Sequence, residues 1–142
     1  MNAKTKARLW LPIVVLFAPG AGFAAAEKAP TPLAEVRYVE LQPTFVTNYG
    51  YSETGRLKYL KADVTLRVSS QAAEMSLRYH LPYLRNNLVL LFSSQEESTL
   101  VSAEGRDELR RAALANLREL MTEEEGDPLI EDLVFSNFVV QR

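Results

Sequence analysis

Between residues 60 and 68 apolar and polar side chains alternate without a fault. Leu60, Ala62, Val64, Leu66 and Val68 stand against Lys61, Asp63, Thr65 and Arg67. Successive side chains of a strand point to opposite faces, so this segment predicts a strand buried on one face and wet on the other. From Gln71 the period lengthens. Ala73, Leu77, Leu81, Leu84, Leu88, Leu91 and Phe92 recur at three- and four-residue steps, the stripe of an amphipathic helix. Ser70 is placed to cap it, and the charge of Glu74 suits the positive end of the helix dipole. Pro82 lies within the stripe, where its ring would clash with the carbonyl four residues earlier. A break is therefore predicted, with Pro82 early in a second helix that ends at Ser93-Ser94.

Ser102 predicts the cap of a third helix, with Glu104, Asp107 and Glu108 near its positive end and Leu109, Ala113, Leu117 and Leu120 as its buried stripe. Gly126-Asp127-Pro128 stops it. Residues 130–141 return as a strand. Leu133 and Phe135 share one parity there and Phe138 and Val140 the other, which calls for a bulge near Ser136-Asn137. Upstream, residues 35–42 (EVRYVELQ) predict a strand ended by Pro43, continued after a kink by Phe45 to Tyr49. The fold class expected is α+β, a small antiparallel or mixed sheet with helices packed on one face.

The front of the chain follows different rules. Residues 1–26 carry Lys4, Lys6 and Arg8, then the apolar run from Leu9 to Ala18, then Pro19-Gly20 and Ala24-Ala25-Ala26. That is the order of a secretory signal, with small residues at the cleavage positions. The unbroken run spans roughly 15 Å, about half of a ~30 Å hydrocarbon core, and the whole uncharged stretch reaches only ~27 Å. Length thus favours a cleaved signal over a retained single-pass anchor. In both cases the basic end stays in the cytoplasm and the remainder is exported. Residues 27–34, with Pro30 and Pro32, form a short linker, and the folded domain is assigned to residues 35–142.

Charge and composition narrow the chemistry. The 16 basic residues less the three at the front leave 13 against 18 acidic ones, a formal −5 for the exported part. Such a domain lacks the clustered Lys and Arg that nucleic acid requires. With no cysteine, thiol catalysis, Cys-ligated metals and disulfides are excluded. His80, the single histidine, has no second ligand at helical spacing and is read as structural or surface. Glu123-Glu124-Glu125 with Asp127 lacks the alternation and glycine of a calcium loop and is read as a solvated turn. Glu96-Glu97 is read as a loop pair. Ser93, Ser94 and Ser98 lie in no nucleophile motif, and Gly50, Gly55 and Gly105 are too isolated to make a phosphate loop. No catalytic, cofactor or metal residues are assigned. The aromatic group Phe45, Tyr49 and Tyr51 supplies the candidate contacts, since aromatics beside a turn serve either as core or as a surface for a subunit or partner.

Four segments, taken in order, resemble the flagellar basal-body-associated FliL proteins. They are residues 59–68 (YLKADVTLRV), Leu81-Pro82 through Leu84-Arg85 to Leu90-Leu91-Phe92-Ser93-Ser94, residues 104–110 (EGRDELR), and residues 134–141 (VFSNFVVQ). The resemblance implies a stomatin/prohibitin-like domain on the periplasmic side of the inner membrane. It further implies homo-oligomeric rings and association with basal-body proteins and the flagellar stator (MotA/MotB), in support of rotation, motility and swarming. It implies no catalysis and no cofactor. Members of the family look signal-anchored, whereas this front end is short and broken by Pro and Gly. A soluble periplasmic adaptor of another envelope complex is therefore the alternative expectation.

Overall fold

Leu60, Ala62, Val64, Leu66 and Val68 are all buried, and the residues between them face outward, as strict alternation requires. A computed structural model of the chain describes residues 35–50 and 55–142. Its element order is β1 (Arg37–Glu40), β2 (Phe45–Asn48), β3 (Tyr59–Val68), α1 (Gln71–Tyr79), α2 (Leu81–Ser93), α3 (Glu97–Val101), α4 (Ala103–Glu125) and β4 (Ile130–Gln141). The expected leader or anchor (residues 1–26), the linker (27–34) and Tyr51 lie outside the described residues.

The sheet is antiparallel throughout and centred on β3. β4 pairs along the whole of β3, with Tyr59 opposite Gln141 and Val68 opposite Ile130. β1 and β2 therefore divide the other edge, Arg37 opposite Val68 and Phe45 opposite Ala62, as two halves of one interrupted strand. β1 is shorter than the expected 35–42. Leu41 still donates its N–H to the Val64 carbonyl at 2.9 Å, but the chain then bends through Pro43, which has no N–H to offer.

The bulge expected in β4 is present. Asn137 pairs with Asp63 and Phe135 with Val64, so Ser136 is the extra residue. One added residue exchanges the two faces of a strand. Phe138 and Val140 are thereby returned to the side already occupied by Leu133 and Phe135, and all four pack on the core. Arg67 and Val68 bracket a second register shift, opposite Asp132 and Ile130, which the sequence pattern did not announce.

Both predicted caps form. Ser70 Oγ accepts from Ala73 N at 3.1 Å, and Ser102 Oγ accepts from Gly105 N at 3.0 Å. Each satisfies a backbone donor that the first helical turn leaves free. The break at Pro82 occurs as expected. His80 serves as C-cap of α1 and N-cap of α2, and the proline occupies the first turn of α2, where the missing N–H costs nothing. Gly126 ends α4 in the left-handed conformation, φ 78°. The loop expected around Glu96-Glu97 is corrected: Glu97 opens α3, a five-residue helix that buries Leu100. A single turn carries too few apolar positions to declare a period. The helices bury Leu77, Leu84, Leu88, Phe92, Leu109 and Leu117 against the inner face of the sheet. Each fully buried aliphatic or phenyl side chain contributes on the order of 1.5–3 kcal/mol.

Candidate interaction surfaces

The aromatic group resolves into core. Phe45, 1% exposed, sets its ring 5.6 Å from Phe92 at 85°, and Tyr49 is 2% exposed. The Tyr49 hydroxyl donates to the Gln141 carbonyl at 3.2 Å, and burial raises its pKa. Both side chains pack in the core, the first of the two roles expected for such aromatics. The physical reason lies in register. Phe45 stands opposite Ala62, an inward position of β3, so β2 turns Phe45 to the core, as does Tyr49 just past its end, and leaves Val46 exposed.

Arg85 joins these elements. Its guanidinium donates to both the Leu41 and Pro43 carbonyls at 2.6 Å and lies 4.2 Å over the Phe45 ring, while burial lowers its pKa. It bridges the interruption between β1 and β2 from α2. Replacing Arg85 with Met keeps most of the stem but frees two carbonyls and removes the cation. The expected loss is about 1–2 kcal/mol in urea unfolding, partly restored in Arg85→Lys, which returns a charged N–H donor group but not the planar guanidinium over the Phe45 ring.

The titratable residues singled out from sequence do not converge. His80 Nε2 lies 2.8 Å from Glu125 Oε1, tying the α1–α2 junction to the end of α4. Glu97 takes Lys58 at 2.7 Å and Arg142 at 3.5 Å, and the hydrogen bond from Lys58 holds its carboxyl below the usual range. Glu96 does not join it. Ser93 and Ser94 donate their hydroxyls to the Leu90 and Leu91 carbonyls at the end of α2. Glu74 is held low by hydrogen bonds first from Arg78 and then from Arg37. Two further arginines serve β4: Arg118 donates to the Ile130 and Glu131 carbonyls at 2.7 Å, and Arg110 pairs with Asp132 at 3.0 Å. Among the described residues no three His, Cys, Asp or Glu side chains are grouped to hold a metal, and no helix is long and apolar enough to cross a membrane.

What the chain offers outward is surface. The outer face of the sheet carries Tyr38, Val46, Val134 and Val139 among Lys61, Asp63 and Thr65. The outer edges of β4 and of β1 with β2 pair with no strand among the described residues. The outward face of α2 carries Tyr83, 45% exposed, and Leu90, 60% exposed. Sequence reasoning passed over this last surface. Its signal was present, because residues 81–94 contain one charged side chain, Arg85.

Residues 38–141 match the family model described as flagellar basal body-associated protein FliL. The chain is similar to the flagellar protein FliL of Escherichia coli strain K12, 26% identical over 153 residues that span 99% of this chain and 97% of that relative. It is also similar to the flagellar protein FliL of Aquifex aeolicus strain VF5, 25% identical over 116 residues that span 82% of this chain and 68% of that one.

Proposed function

Given that this chain belongs to the FliL family of flagellar basal body-associated proteins, we propose that it associates with the stator (MotA/MotB) on the periplasmic side of the inner membrane and supports flagellar rotation, motility and swarming. One observation carries this reading: the family match runs over residues 38–141, from the second residue of β1 to the last residue of β4, and so takes in all but one residue of the sheet and the four helices of the described residues. The mechanism is association without turnover. A stomatin/prohibitin-like domain with two sheet edges that pair with no strand among the described residues has what a head-to-tail contact needs, since a heterologous interface closes into a ring when the rotation allows. A homo-oligomeric collar that binds the active form of a stator unit better than the inactive form shifts the population toward it.

Deleting the gene is expected to reduce swarming, the torque of load-bearing motors and the number of stator units engaged at each motor. If all three stay at the parental level, the reading fails. The second reading, a soluble periplasmic adaptor of another envelope complex, draws its support from the Pro/Gly-broken front end with Ala24 and Ala26. Affinity capture from envelope extracts separates the two, through stator and basal-body proteins in one case and an unrelated complex in the other.

A further inference from the structure

α2 is packed on the core by Leu84, Leu88 and Phe92, yet its other side is exposed and carries no charge. Pro82, Tyr83, Asn86, Val89, Leu90 and Ser93 all face outward. Arg85, its one charged residue, is turned back onto the Leu41 and Pro43 carbonyls. A solvent-facing helix ordinarily presents charged residues opposite its apolar stripe. A depletion of charge with an aromatic and an aliphatic residue left exposed is the composition of an interface centre.

The neighbouring helix supplies the rest. α4 runs antiparallel to α2, with His80 at the start of one meeting Glu125 at the end of the other. Between them lies an open groove of about 170 Å³ lined by Tyr83, Asn87, Asn116, Glu119, Leu120 and Glu123. Tyr83, Asn87 and Leu90 fall on one face of α2 at four- and three-residue steps, which extends the uncharged wall beyond the groove. The opposite wall is acidic. From Ala112 to the end of α4 the one cation is Arg118, which is committed to the Ile130 and Glu131 carbonyls, while Glu119, Glu123 and Glu124 are exposed and make no ion pair among the described residues.

We infer that this α2–α4 groove is a docking site for a basic amphipathic helix of another protein. The apolar face of such a helix lies on Tyr83 and Leu90, and its Lys or Arg side chains reach Glu119 and Glu123. Two apposed helices leave a channel into which a third packs. Here Asn87 and Asn116 make the channel polar, Tyr83 and the adjoining Leu90 are the exposed apolar contacts, and Glu119 and Glu123 form the charged rim. Charge decides among occupants. A second copy docked symmetrically would bring Glu119 and Glu123 toward their own counterparts, because an isologous contact repeats the same patch on both sides, and a copy docked head-to-tail belongs to a domain whose residues 27–142 carry a formal −5, 13 basic against 18 acidic residues. A membrane surface bearing anionic lipid is repelled by the same carboxylates. The preference follows from the groove's own side chains and stands whichever assembly the protein serves.

The test uses the folded full-length chain, labelled with nitrogen-15, and two synthetic helical peptides of about 18 residues, or five turns. Both share one leucine stripe. One has lysine on its polar face and the other glutamate. The lysine peptide is expected to bind with chemical-shift changes centred on Tyr83, Asn87, Leu90, Asn116, Glu119 and Glu123. Binding should weaken as salt rises from about 50 to about 300 mM. Glu119→Lys with Glu123→Lys should weaken it at least about tenfold, and so should Tyr83→Ser with Leu90→Ser. Glu104→Lys with Glu108→Lys changes net charge equally at the far end of α4 and should leave the affinity as it was. Backbone spectra of each variant confirm the fold.

Several results would overturn the inference. These are equal binding of the glutamate peptide, shifts centred on the outer face of the sheet, or equal weakening by the Glu104/Glu108 variant. Concentration-dependent shifts of the groove residues without peptide would assign the face to a second copy. Protection of those residues by phosphatidylglycerol vesicles would assign it to lipid.

Discussion

Truncating Phe92 to alanine is expected to cost about 3–5 kcal/mol, the range for removing a fully buried phenyl ring without collapse of the space around it. Phe92 lies at the end of α2 and touches both halves of the sheet. Its ring is 5.6 Å from Phe45 on β2 and 5.9 Å from Phe135 on β4, and Phe135 continues the series to Phe138 at 5.1 Å. Aromatic pairs in edge contact add to simple burial. The cavity would be walled by three elements tied independently to β3 or to the helices, so none can move in to fill it. Urea unfolding monitored by circular dichroism gives the value. A loss under about 1 kcal/mol would mean that the rings do not act as one packed unit. Phe92→Leu preserves most of the volume and should retain more than half of the difference.

Gly105 carries the second large effect. It is the third residue of α4, and its N–H is the group that Ser102 Oγ caps. A Cβ built on it would lie 2.3 Å from the Thr99 carbonyl oxygen and 2.7 Å from both Thr99 Cα and Ser102 Oγ. The obstacle is backbone, which cannot rotate away as a side chain can. Alanine at a helical glycine ordinarily gains about 1 kcal/mol. Here the clash reverses the sign. Gly105→Ala is expected to destabilise by about 2 kcal/mol, and Gly105→Val by about 3–4 kcal/mol. Gly126 supplies the contrast. A Cβ there meets nothing within 4 Å, and the cost of Gly126→Ala comes from its φ of 78° alone, about 1 kcal/mol. If Gly105→Ala proves as stable as the parent in the same denaturation measurement, α3 does not cross the start of α4 as closely as described.

The contrast between these two glycines shows why some features were legible in the sequence and others were not. Gly126 announces itself, since Gly-Asp-Pro after a helical stripe is a stop signal that depends only on local conformation. Gly105 looks like an isolated glycine in a helix, and its reason is the Thr99 carbonyl of α3, an element whose single turn has no period to read. The same division holds for the aromatic group. Three aromatics beside a turn do not say which way they face. Phe45 and Tyr49 became core because Phe45 falls opposite Ala62, and cross-strand register is a non-local fact. The outward face of α2 is a third kind of case. Its lack of charge stood in the sequence, but that Arg85 turns back onto the Leu41 and Pro43 carbonyls is a tertiary fact.

Local rules therefore determined a great deal from the sequence alone: the alternating strand, the two helices parted at Pro82, the caps at Ser70 and Ser102, the stop at Gly126 and the bulge at Ser136. Each depends on residues within about one turn or one pleat of one another, where sterics and backbone hydrogen bonding act without reference to the rest of the chain. Tertiary structure alone decided that β1 and β2 share one edge of β3, that Arg85 and Arg118 are committed to carbonyls, and that the uncharged outward face of α2 lies beside the acidic end of α4. Those outcomes rest on contacts between residues more than ten positions apart, and such pairs are settled by packing the whole core at once, with no local pattern to record the result.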